Sequence, residues 1–177
     1  YLHYDPSRAG KVPQDIIGEN FQGIVSCDFY AAYNAFGRTQ RCLVHLMRDI
    51  KEERASLPAS RSLELLEQRM WKFINDGLSI QKIEDVEEKQ RRLSELEKQL
   101  VIVSKMKVNK GKGTTLVKRI AKYHDHIMPF ASDPDVEYHN NRAERNLRPL
   151  VTSRKMSFGS NTANGAKRTS IVHSVME

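Results

Sequence analysis

Apolar residues change their spacing several times along this chain. Residues 1 to 5, Tyr1-Leu2-His3-Tyr4-Asp5, alternate and are rich in aromatic side chains, which predicts a strand. Gly23-Ile24-Val25-Ser26-Cys27-Asp28 is a short apolar run ending on an acid. That is the pattern of a buried strand with a functional C-terminal tip. Between them, Pro13 opens a short helix through Ile16 and Ile17 that Gly18 closes. Tyr30 to Phe36 reads as about two helical turns, Gln40 to Val44 as a further strand, and His45 to Ala55 as a helix.

From residue 60 to 130 the spacing is helical throughout. Leu63, Leu66, Met70, Phe73 and Ile74 form one stripe, and Val86, Leu93, Leu96, Leu100 and Val103 another. Their polar faces are dense in Glu, Lys and Arg, so an α-hairpin or small bundle is expected. Lys105 to Lys112 reads as a basic loop, and Thr114 as the cap of a helix facing inward with Leu116, Val117, Ile120 and Tyr123 and ending at Pro129. A short helix from Asn141 to Arg148, stopped or kinked by Pro149, and a last helix from Ala166 to Met176 complete the order. Strands alternating with helices, then an all-helical block, predict an α/β layer with a helical insertion.

Composition narrows the function classes. Hydrophobic residues make up 39% and charged residues 29% of the 177 residues, a globular balance. The net charge of +7 favours phosphate polyanions as partners. Two cysteines give no disulfide framework, which makes a reducing cytoplasm the default. No apolar run approaches the roughly 20 residues that a spanning helix needs, so no membrane partner is expected.

Candidate chemistry lies at two places. Asp28 ends a strand, where ligand and metal groups gather in open α/β sheets; its simpler role is to cap the helix that follows. Glu144 sits in Asn140-Asn141-Arg142-Ala143-Glu144-Arg145-Asn146-Leu147-Arg148-Pro149, a segment crowded with guanidinium and amide donors, followed by Arg154-Lys155. Its simpler role is an ion pair with Arg148 four residues on, with Ala143, Leu147 and Leu150 facing a core. Two carboxylates can jointly hold a hard divalent cation such as Mg²⁺. Cys42-x-x-His45 resembles half a zinc site but lacks a second Cys/His pair, so zinc is not expected. His124 and His126, two apart on a helix, read as surface residues.

Three segments together resemble the catalytic domain of IS66-family insertion-sequence transposases, of the DDE class. They are Gly23 to Asn34, Arg41-Cys42-Leu43-Val44-His45-Leu46-Met47-Arg48, and Asn140 to Arg145 with Leu147-Arg148-Pro149, Arg154-Lys155 and Phe158-Gly159-Ser160. The resemblance implies an α/β, RNase H-like fold, with the family's early strands absent here and an all-helical insertion. Its division would be 1–58, a first part of the core carrying the second catalytic Asp; 59–132, the helical insertion; and 133–177, a C-terminal helical part carrying the catalytic Glu.

The same resemblance makes Asp28 and Glu144 the second and third acids and ligands of Mg²⁺ or Mn²⁺, with two-metal phosphoryl transfer as the reaction. Arg145, Arg148, Arg154 and Lys155 become phosphate contacts, and Asn141, His45 and Arg48 supporting residues. It also implies DNA transposition with transposon ends and target DNA as partners, a homo-oligomer in the DNA complex, and a cytoplasmic, nucleoid-associated setting in a bacterium. The family's first acid has no counterpart; it is expected upstream of Tyr1, which would leave this stretch alone inactive. Two other readings fit the residues: a nuclease of the same fold, and an inactive DNA-binding or assembly module.

Overall fold

The structure, a computed structural model, describes residues 5, 10–18, 20–108, 111–156 and 162–176. It is mostly helical, with a small two-stranded parallel sheet. Chain packing defines two compact units: residues 22–139, and residues 1–21 together with 140–177.

Within the 22–139 unit, β1 (Val25–Cys27) pairs in parallel with β2 (Thr39–Arg41), Ser26 opposite Gln40. Parallel neighbours need a crossover of about a dozen residues. Here it is Asp28 to Arg38, containing a short 3-10 helix, Ala31–Ala35. The run from Gln40 to Val44 divides: the strand occupies 39–41, and Leu43 already begins α2 (Leu43–Ser56). The division follows from where the backbone donors go. The Cys42 N–H bonds the Cys27 carbonyl at 2.8 Å, while the Leu43 N–H bonds the Tyr138 carbonyl at 2.8 Å, off the sheet.

β2 is buried although Thr39, Gln40 and Arg41 are all polar, and each makes hydrogen bonds to specific partners. The Phe130 N–H donates to Gln40 Oε1 at 2.9 Å, and Gln40 Nε2 donates to the Arg41 carbonyl at 2.9 Å. Buried polar groups are tolerated when bonded in this way.

Helices α3 (Arg61–Ile80), α4 (Val86–Ser104) and α5 (Lys112–Lys122) follow, and residues 61–132 contain no strand among the described residues. The Ser60 hydroxyl accepts the Leu63 N–H, and Asp85 Oδ1 accepts the Glu88 N–H at 2.7 Å, so α3 and α4 both start on side-chain caps. Leu96, Leu100 and Val103 of α4 are buried with Leu63, Leu66, Met70, Phe73 and Ile74 of α3, whereas Val86, expected in the same stripe, is exposed. The same core takes in Leu43, Leu46, Met47 and Ile50 of α2 and Leu116, Val117 and Ile120 of α5. The helical block thus shares one core with the helix that follows the sheet. A Cβ at Gly77 would come within 2.5 Å of Phe130 Cζ, so α3 passes this close to α6 (Pro129–Ser132) only because residue 77 lacks a side chain.

Three local readings are corrected. Thr114 lies inside α5, whose N-cap is Gly111 at φ 105°, a left-handed conformation that glycine adopts without strain. Pro129 does not end α5 but opens α6, its fixed φ suiting a first helical position. The Tyr30–Phe36 turns are 3-10 rather than α.

In the other unit, α1 spans Lys11–Ile17 and closes on Gly18 at φ 91°. Helix α7 runs from Asn141 to Met156, continuing past Pro149, and α8 spans Ala163–Met176. Proline lacks only its own bond, to the Arg145 carbonyl, so the cost is local and the helix resumes. Residues 1–4 of the expected first strand (residues 1–5) and the Phe158-Gly159-Ser160 segment lie outside the described residues. No helix among the described residues is long and apolar enough to cross a membrane.

Candidate active site

Asp28 stands at the C-terminal tip of β1, partly exposed. Its Oδ1 accepts the Tyr30 N–H at 2.9 Å, an Asx turn two residues long. The 3-10 helix has Tyr30 at its N-cap position and no side-chain cap, so Asp28 shapes the turn before that helix rather than capping it.

The turn is fastened from β2. Arg41 is fully buried, and its Nη1 donates to the Asp28 carbonyl at 2.7 Å and the Tyr30 carbonyl at 3.1 Å. Its Nη2 donates to Asn34 Oδ1 at 2.7 Å, and the guanidinium lies over the Tyr123 ring, 4.7 Å from its centroid. Phe29 packs edge-on to Tyr123 and beneath the Arg119 guanidinium, which is paired with Asp49. From the sequence Tyr123 is expected only on an inward helix face, and Arg41 and Asn34 carry no expected site role. The available signal was a charged residue directly preceding the apolar Cys42-Leu43-Val44 run.

Neighbouring titratable groups are held uncharged. Burial pushes the Cys27 thiol up to about 11, with the Asp28 and Cys42 charges adding and Arg41 opposing, so it is a thiol at neutral pH. His126 is lowered by burial and then by Arg41, and its Nδ1 lies 2.9 Å from Thr39 Oγ1. It is therefore a partner of β2, not the surface residue its spacing suggests. His124, half-buried, pairs with Asp125. On α2, Cys42 is buried, His45 half-buried and Arg48 exposed. Among the described residues, no group of three or more His, Cys, Asp or Glu is placed to hold a metal ion.

The second carboxylate belongs to the unit containing α7. Glu144 lies in the first turn of that helix, its N–H bonded to the Asn140 carbonyl at 3.1 Å, with Asn141 at the helix start. Arg145, Arg148 and Lys155 are exposed; the side chain of Arg154 lies outside the described residues. Ala143 is exposed and Leu147 is 41% exposed, correcting the expectation that they face a core. In the 22–139 unit, Ser26 Oγ donates to the His139 carbonyl at 3.4 Å.

Asp28 and Glu144 supply oxygen donors, the chemistry a hard divalent cation prefers. Asp28 fits that use: it is partly exposed, and its Oδ1 is engaged in the Asx turn. No curated protein and no solved structure matches this chain. Residues 1–168 match the family described as Transposase IS66 family. That match takes in both the Asp28 turn and the start of α7, and the chain belongs to this transposase family.

Proposed function

We propose that this chain is the catalytic domain of an insertion-sequence transposase in which Asp28 and Glu144 serve as the second and third acids. The family is a catalytic one of the DDE class, which implies DNA cleavage and strand transfer and an RNase H-like fold. In this reading residues 1–58 and 133–177 supply that core and 59–132 are its helical insertion. The observation that carries the reading is the family match, which spans both acidic segments.

The residues divide the work. The Tyr30 N–H fixes one oxygen of Asp28, so the carboxylate is oriented before substrate arrives and its placement costs nothing during reaction. Asp28 and Glu144 would hold Mg²⁺ or Mn²⁺, which would supply charge neutralisation for phosphoryl transfer. Arg145, Arg148, Arg154 and Lys155 contact DNA phosphates, which positions the duplex without reading its sequence. Asn141 orients Glu144 or a phosphate, and His45 and Arg48 support the site from α2. The partners are transposon ends and target DNA, bound by a homo-oligomer.

The test compares cleavage and strand transfer on donor-end DNA by this chain, by a version extended upstream of Tyr1, and by that version carrying Asp28→Asn or Glu144→Gln. Each substitution keeps size and removes the ligand charge. Both variants are expected to lose roughly a hundredfold or more in both reactions, the scale of several kcal/mol of charge stabilisation. Cleavage without strand transfer by the unsubstituted chain would point to a nuclease. Full activity in either variant would remove that acid from the site.

A further inference from the structure

The guanidinium of Arg41 is an expensive thing to bury. It is fully buried, faces no carboxylate, and its Nε has no acceptor among the described residues. An apolar residue would complete β2 without giving up hydration. What the charge does contact is specific: the carbonyls of Asp28 and Tyr30 and the amide oxygen of Asn34, the beginning and the far side of the Asp28 turn. The planar fork suits this use, because it reaches several acceptors at fixed angles where an ammonium would reach them one at a time. Tyr123, at the C-terminal end of α5, covers the guanidinium face and also meets Phe29, the residue after Asp28.

We infer that Arg41, with Asn34 and Tyr123, is a positioning device that sets the Asp28 carboxylate for cation binding, so that the helical block takes part in building the site. It acts through backbone carbonyls and touches neither cation nor DNA. This rests on the reading of Asp28 as a catalytic acid. Outer partners of a metal ligand typically govern about 10–100-fold in metal affinity. A residue serving stability alone would change the folded fraction and leave the metal dependence of the folded molecules where it was.

The experiment uses the full chain with Arg41→Lys, Asn34→Ala, Tyr123→Leu and Tyr123→Phe. Mn²⁺ binding is followed by water-proton relaxation without DNA, and the Mn²⁺ concentration for half-maximal donor-end cleavage is measured alongside. Folding is checked by circular dichroism and urea midpoint. Arg41→Lys is expected to weaken Mn²⁺ binding about tenfold and raise the half-maximal concentration in parallel. Asn34→Ala and Tyr123→Leu should shift both the same way by a smaller factor, and Tyr123→Phe, which keeps the ring, should restore the wild-type values. If Arg41→Lys does not fold, Asn34→Ala decides, since Asn34 is exposed and its loss opens no core. Folded variants with unchanged Mn²⁺ binding would overturn the inference. Asp28→Asn separates the two claims. If it leaves binding and cleavage intact, the assignment of Asp28 is what fails. If it abolishes them while Arg41→Lys and Asn34→Ala shift nothing, the positioning claim alone fails.

Discussion

The turn after β1 and the helix α7 each carry one of the proposed acids, and they are built in opposite ways. Around Asp28 every constraint is internal: a buried guanidinium, two carbonyls, an aromatic face and an Asx bond fix the backbone. Glu144 lies in the first turn of a helix whose Arg145, Leu147, Arg148, Val151 and Lys155 side chains are exposed. A carboxylate held by a packed core is placed before any ligand arrives. A carboxylate on an exposed basic helix presents its charged neighbours to a polyanion. Under the proposed function the first setting would serve a cation and the second the phosphate backbone.

The contrast predicts unequal tolerance to substitution. Phe130→Ala empties a fully buried position that packs against Phe73 at 5.9 Å between ring centroids, and should cost about 3–5 kcal/mol in urea unfolding. Gly77→Ala drives a methyl into the Phe130 ring and should cost about 1–3 kcal/mol. Leu147→Ala on α7 should stay within about 0.5 kcal/mol, the range of an exposed site. A loss at Leu147 as large as at Phe130 would break the comparison.

DNA binding sharpens it from the other side. Arg145→Ala with Arg148→Ala should lower the slope of log affinity against log salt by about 2 and weaken binding evenly across sequences. Identical slopes would remove both from the phosphate contacts.

The smallest effect concerns His126. Burial and Arg41 lower its folded pKa, so the unfolded chain takes up the proton first as pH falls. The stability linked to it is present above the ordinary imidazole value of about 6.5 and is lost as pH drops below that toward the folded value. The urea midpoint should therefore decline on acidification, and less steeply in His126→Gln. Parallel declines in the two proteins would show that His126 is not the group responsible.

Apolar periodicity carried the helical part of the fold. The stripes of α3, α4 and α5 are long, and Leu96, Leu100 and Val103 face inward as their spacing requires. The sheet was less legible. β2 is three buried polar residues, so no apolar alternation marks it, and only long-range partners such as Phe130 and His126 make it stable. Pro149 was legible as a helix breaker, yet α7 continues because one missing bond does not end a helix. Of the candidate site, the two acidic segments could be read from residue type and motif. The Arg41 brace could not, because Asn34, Arg41 and Tyr123 come from separate stretches that only folding brings together.

The proposed sharing of one cation by Asp28 and Glu144 can be checked by a double-mutant cycle on Mn²⁺ binding. Affinity is measured in the full chain with donor-end DNA for the unsubstituted protein, Asp28→Asn, Glu144→Gln and the pair. Residues that act as a unit are strongly non-additive. Each single substitution should weaken binding by roughly tenfold or more, the scale expected when a ligand charge is removed. The double variant should lose little beyond either single one. Losses that simply add, or a Glu144→Gln protein that binds Mn²⁺ as the unsubstituted chain does, would contradict a shared site.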